Sequence, residues 1–290
     1  MKKYIAFALA LAMLLTLTAC KKKTEPAPES PAPVTPPAVE KEEPAETLPD
    51  LRPVEDVVVP PDVVEGRDPS GDYVLPEELT TMMDWQWQGA VGLVAQTEDV
   101  YFYAIEGKES CPALLRWGDS MAEFDWWYST PHAIEPELWL MDIDEDGETE
   151  LVADCYGGSG TGVSMEYIYI VEKEADGMLV SHELPWRDLC FLVDKQLQLI
   201  SRDDAFYAAL GKELVDITEH IPTEANVKAE NLALGYIARY TPAEYGLNCT
   251  FGVIAEGKGI SGPVYVANVE GFLRYENETF TLTDLHLVSI

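Results

Sequence analysis

Apolar residues are distributed along this chain in three regimes. Residues 4–17 form a single apolar run behind Met1-Lys2-Lys3. Residues 21 to about 70 carry no periodic hydrophobic pattern, and from about Tyr73 short apolar runs recur between turn-forming residues. The runs 91–96, 100–105, 113–117, 121–128, 137–143, 150–155 and 164–171 are rich in β-branched and aromatic residues and are separated by Gly, Asp or Ser. This is the pattern of short strands. In Glu166-Tyr167-Ile168-Tyr169-Ile170-Val171 the apolar content is nearly continuous, which predicts a strand covered on both faces. Leu75-Pro76-Glu77-Glu78-Leu79 predicts a short helix with Pro in its first turn.

The second half repeats the strand signal at 232–240, 247–255, 263–275 and 279–288, with Glu276-Asn277-Glu278 turning between the last two. Residues 186–219 are ambiguous. A helix over 203–214 competes with a hairpin of 205–210 and 213–217 across Gly211-Lys212, and the hairpin is preferred. The predicted class is mainly β with a few short helices. Two β-rich subdomains, 71–185 and 186–290, are the expectation, and a core shared between them is the alternative. No repeat at a fixed period of 20–50 residues is visible, so the pattern does not support a propeller.

The unpatterned stretch has its own chemistry. After Lys21-Lys22-Lys23 come Glu25-Pro26-Ala27-Pro28-Glu29, Pro31-Ala32-Pro33 and Thr35-Pro36-Pro37. Such sequence buries too little surface to offset its chain entropy, and proline holds it extended. Residues 20–70 are therefore expected to be a semi-rigid tether. The apolar run ahead of it is too short and wrongly flanked for a stable span. It ends in Leu17-Thr18-Ala19-Cys20, which resembles the bacterial lipobox. That resemblance implies cleavage of residues 1–19 as a signal peptide, lipidation of Cys20, and a cell-membrane anchor on the extracytoplasmic side. Durable attachment takes two or more acyl chains.

Composition narrows the partners. Nineteen Lys and Arg against 52 Asp and Glu give a formal charge of −33. A field of that sign repels nucleic acid and anionic wall polymers and draws divalent cations. Apart from Cys20, four cysteines remain: Cys111, Cys155, Cys190 and Cys249. Outside the cell they suit two disulfides in any of three pairings, or equally four buried thiols.

One segment carries a specific site. Asp142-Ile143-Asp144-Glu145-Asp146-Gly147-Glu148-Thr149-Glu150 reads D-x-D-x-D-G-x-x-E. Calcium takes about six to eight oxygens from a tightly curved chain. Carboxylates at alternate positions point to a common centre when the backbone wraps, and Gly147 permits the closing turn. The expected ligands are Asp142, Asp144 and Asp146, with Glu148 through its carbonyl, and Glu150. An EF-hand would need Glu where Ala153 stands, and flanking helices where strand-like residues stand. The loop resembles the calcium loops between strands of FG-GAP/VCBS-type repeats, a likeness limited to about residues 138–152 and implying structural Ca2+. A broader likeness, over about 117–171, is to Firmicutes lipoproteins of unassigned function that pair such a loop with a stretch like Gly158-Ser159-Gly160-Thr161-Gly162-Val163-Ser164.

Other candidates carry less. The glycine stretch lacks the helix and lysine of a phosphate loop, and Thr161 replaces the second Gly of a nucleophile elbow, so a glycine-rich hairpin is expected. Gly158, Ser159, Gly160 and Thr161 lie close in sequence to the acidic loop, which predicts one shared ligand-binding rim. His132, His182, His220 and His286 are widely spaced and none stands out. Trp117, Phe124, Trp126, Trp127, Tyr128 and Trp139 read mainly as core. Consecutive Trp126 and Trp127 must face opposite sides of a strand, so one of them is available to stack on a sugar. The functional expectation is a calcium-stabilised module binding an envelope carbohydrate or protein. The alternative is an envelope hydrolase acting on wall glycan or peptide.

Overall fold

The computed structural model describes residues 51–80, 91–105, 112–128 and 134–290. The expected signal peptide, Cys20, most of the tether, Cys111 and His132 lie outside these residues. The elements run β1 (Val57–Val59), β2 (Asp62–Glu65), β3 (Val91–Thr97), β4 (Val100–Ile105), β5 (Ala113–Trp117), β6 (Ser120–Phe124) and β7 (Glu137–Met141). Next come β8 (Glu150–Gly160), β9 (Val163–Lys173), β10 (Leu179–Glu183), α1 (Trp186–Asp194), β11 (Leu197–Arg202), β12 (Ala205–Leu210) and β13 (Glu213–Asp216). The chain ends with β14 (Lys228–Ala243), β15 (Gly246–Lys258), β16 (Val264–Tyr275) and β17 (Phe280–Ser289). The fold is mainly β, and the preferred hairpin across Gly211-Lys212 is present as β12 and β13.

The largest sheet has ten strands, with a path β1-β17-β16-β15-β14-β9-β10-β2 and β8 and β7 added beyond β9. Along one edge β9 pairs with β8. Along the other it meets β14 in parallel over Val163–Met165 and β10 over Tyr169–Lys173. The two ends of the path are consecutive in the chain, because only Pro60 and Pro61 separate β1 from β2. Three Cα steps reach at most about 11 Å, so the β17 edge and the β10 edge are held together. One N-terminal segment thus closes the sheet on itself. Proline suits the join, since it cannot donate to a ladder.

This closure corrects the tether boundary. Residues 20–70 were expected to stay unstructured, yet Val57 and Val59 are buried against the larger core and β2 pairs β10. The two inward valines of β1 are enough apolar surface once a sheet edge is there to receive them. The two-subdomain expectation is corrected as well. The parallel β9–β14 pair joins 71–185 to 186–290 in one sheet. The larger core mixes Val152, Ile168 and Ile170 with Phe251, Val266 and Leu282, and residues Leu48–Ile290 form one compact unit.

A second, four-stranded sheet, β3-β4-β5-β6, lies against β8 and β9. Alternation along β8 assigns each face. Leu151, Ala153 and Cys155 meet Phe102, Leu115 and Phe124 of the small sheet, while Val152 faces the larger core. On β9, Tyr169 and Val171 take the first face and Ile168 and Ile170 the second, which accounts for the unbroken apolar run. The outer side of the small sheet is covered by Tyr73 and Leu75. The expected helix at 75–79 does not form. Leu79 bridges Leu93 in parallel, and the Thr80 amide donates to the Leu93 carbonyl at 2.8 Å. The apolar residues are spent on an extended cover. Conversely α1, which the pattern did not reveal, lays Leu189 and Val193, one turn apart, into the larger core.

Candidate functional site: an acidic loop at one end of the closed sheet

The β7–β8 ladder closes at Met141 opposite Glu150, leaving residues 142–149 as its connection. Two successive side chains shape it. Asp144 Oδ1 accepts the Asp146 amide at 3.1 Å, and Asp146 Oδ1 accepts the Glu148 amide at 2.7 Å. Glu145 and Gly147 have φ of 62° and 92°. A Cβ on Gly147 would meet nothing within 4 Å, so this glycine is needed for its backbone angle alone.

The wrap brings one carboxylate oxygen from each of Asp142, Asp144 and Asp146 within 4.8 Å of one another, a set able to hold a metal ion. Between the first two aspartates, Ile143 is only 2% exposed and is part of the larger core. The loop is therefore anchored by the same residues that space its carboxylates. Asp142 Oδ1 is buried with no hydrogen-bond partner. Burial, then the neighbouring Asp146 and Asp142, raise Asp144 above the usual carboxylate range, against the pull of the Asp146 amide.

Glu150 and Glu148 stand apart from this trio. Glu150 is buried and accepts the Ile143 amide through Oε2 at 3.0 Å. Burial, and beyond it the charge of the three aspartates, push it up to about 7. The Glu148 side chain is exposed. Arg274, whose guanidinium is 3.9 Å from Glu145, is the cation nearest the loop among the described ion pairs.

The glycine stretch forms the hairpin expected of it, with Ser159 opposite Ser164 and Gly160 opposite Val163. The shared rim does not exist. The acidic loop enters β8 at Glu150 and the glycine hairpin leaves it at Gly160, so an extended strand of roughly 33 Å holds them apart. Proximity in sequence became separation in space because the intervening residues are one strand.

Two groups escaped the sequence reading. His182 is buried beside Tyr275, its Nε2 lying 3.5 Å from Glu172 Oε1, which also accepts the Tyr275 hydroxyl at 3.0 Å; His182 Nδ1 is buried without a partner. Asp154 is 7% exposed with Oδ1 unpartnered, and burial followed by Glu166 and Glu137 pushes it up to about 8. Both lie at core-facing positions of their strands, a parity readable only once the strand register is known. Of the other histidines, His286 lies on the surface 3.0 Å from Glu213, and His220 closes a short 3-10 turn.

Cys155, Cys190 and Cys249 are free thiols. Burial raises all three, Cys190 to about 12. Cys155 and Cys249 are buried and Cys190 is partly buried, and none of the three is bonded to another of them; Cys111 lies outside the described residues. Set against known protein families, curated proteins and solved structures, the chain shows no match.

Proposed function

We propose that this chain is a lipoprotein tethered through Cys20 on the extracytoplasmic side of the cell membrane, and that its folded part is a calcium-stabilised binding module. The observation that carries the cation reading is the convergence of Asp142, Asp144 and Asp146 in a loop rooted in the core by Ile143. Three carboxylate oxygens this close repel one another unless a cation lies between them, and Asp142 Oδ1 is a buried acceptor in want of a partner. The donors are hard oxygens with no nitrogen or sulfur among them, which favours calcium over zinc or copper. Glu150 lies outside the converging trio but accepts the Ile143 amide at the root of the loop, and we take it as the next candidate ligand. Calcium here serves the fold: it fixes the turn that sets the β7–β8 register.

The anchor reading is supported by the apolar run 4–17 ending at Cys20 and by the Pro- and Glu-rich spacer that follows. Mass spectrometry of the mature chain is expected to find Cys20 at the N-terminus and diacylglycerol-modified. An unmodified, uncleaved chain refutes it. For the cation, thermal melting with 1 mM-range calcium against chelator is expected to show a higher midpoint with calcium. Asp142→Ala/Asp144→Ala is expected to erase the difference. An equal midpoint in the parent protein under both conditions refutes the site.

A further inference from the structure

We propose that Trp127, together with the bare backbone of the β8–β9 hairpin beside it, forms a binding subsite for a neutral glycan. Trp127 is 67% exposed while its neighbour Trp126 is buried. An indole left this far in water is unusual for a side chain that buries so much area when it has a partner.

The way it is presented argues for use. Tyr169 is buried, and its hydroxyl accepts the Trp127 amide at 2.7 Å and donates to the Trp127 carbonyl at 3.2 Å. Both backbone groups of the exposed residue are therefore clamped by one side chain. Behind them Phe124, Trp126 and Tyr169 form a continuous stack, with ring centroids 5.1 and 4.6 Å apart and planes within 15°. The Trp126 indole N–H is tied to Ser181 Oγ at 3.0 Å. The outward ring thus projects from a rigid base, which lowers the entropy lost when a ligand binds.

Beside the ring the wall is made of glycine. A Cβ at Gly157 would sit 2.2 Å from the Tyr167 ring and 3.0 Å from Trp127 Cδ1, so only glycine lets the two aromatics close over this backbone. Beyond it, Gly158 and Gly160 have nothing within 4 Å of where a Cβ would stand, and Ser159 is exposed between them. On the β7 side, β8 is paired only as far as Asp154, so among the described residues no strand covers that edge from Cys155 to Gly160. The result is an aromatic face next to open, polar backbone. Pyranose units match it, presenting a flat C–H face for the indole and hydroxyls at their rim for amides, carbonyls and Ser159.

Charge decides between glycans. The chain carries −33 overall. Asp125, two residues from Trp127, is itself paired with Arg67 at 2.8 Å, so it is the field of the whole molecule that bears on the ligand. An anionic polysaccharide is repelled here and a neutral one is not. The proposal rests on the binding-module reading but not on the cation, whose loop is at the far end of β8.

The full mature chain, titrated with chitohexaose and with cellohexaose and followed by calorimetry and tryptophan fluorescence, tests it. Polygalacturonate is the anionic comparison and an extended proline-rich peptide the protein-like one. Saturable binding of at least one neutral hexaose is expected, weakened on the order of tenfold or more by Trp127→Ala and less by Trp127→Phe. Bound hexaose should also shield Trp127 from N-bromosuccinimide oxidation, read residue by residue by mass spectrometry. Asp142→Ala/Asp144→Ala should leave the affinity unchanged at a temperature where that variant is folded, which separates this site from the cation reading. Failure of both hexaoses to bind at millimolar concentration overturns the proposal. So does undiminished binding by Trp127→Ala, or preference of this site for polygalacturonate or the peptide.

Discussion

Asp154 faces the larger core from β8, and its burial beside Glu166 and Glu137 keeps its carboxyl protonated up to about pH 8. Glu150 and Glu183 are each pushed up to about 7, chiefly by burial. In the unfolded chain all three ionise near pH 4. Between that value and their folded values the unfolded state has lost protons that the native state keeps, so stability falls as pH rises. Without added metal, the urea midpoint is expected to decline from about pH 5 to about pH 8. Asp154→Asn, which keeps the shape and cannot ionise, should flatten the upper part of that decline. Glu123 shows the opposite economy. Buried, it accepts the Ser70 amide, the Ser70 hydroxyl and the Tyr73 hydroxyl at 2.7, 3.0 and 2.7 Å through one oxygen. It locks the covering segment to β6, and Glu123→Ala should lower unfolding free energy by about 2–4 kcal/mol in urea titrations.

Among the elements, the N-terminal seam makes the sharpest claim. If β1 closes the sheet, Val57→Ala/Val59→Ala removes buried methyl groups and should destabilise by on the order of 3 kcal/mol. Val58→Ala/Val63→Ala alters outward-facing valines of the same segment and should change stability little. Equal, negligible effects from both pairs would return residues 51–65 to the tether. Strand positions were largely legible. The runs at 100–105 and 113–117 coincide with β4 and β5, because apolar and aromatic runs bounded by turn residues are local signals. The errors have local causes too. Leu75 and Leu79 are spaced as in a helix, but Leu75 packs on the outer face of the small sheet and the backbone of Leu79 bridges Leu93, which holds the segment extended. The nine residues of α1 carry too few turns for their period to stand out.

For the whole molecule, a charge of −33 on one compact unit is a standing repulsion that salt screens. Monovalent salt at about 150 mM should raise the melting midpoint relative to about 10 mM in parent and Asp142→Ala/Asp144→Ala alike. Millimolar calcium should add a further rise in the parent only, so the general and site-specific parts separate. The sequence alone determined the β character and the acidic loop, since each depends on residues adjacent in the chain. Only the tertiary structure decided that two halves share one sheet, that a proline pair closes it, and that loop and glycine hairpin lie at opposite ends of β8. Those facts rest on which strand edges meet and which face each residue takes. Pairing between residues so far apart in the chain, such as Val163 with Tyr236 or Val57 with Leu282, leaves no mark on the local pattern of either partner.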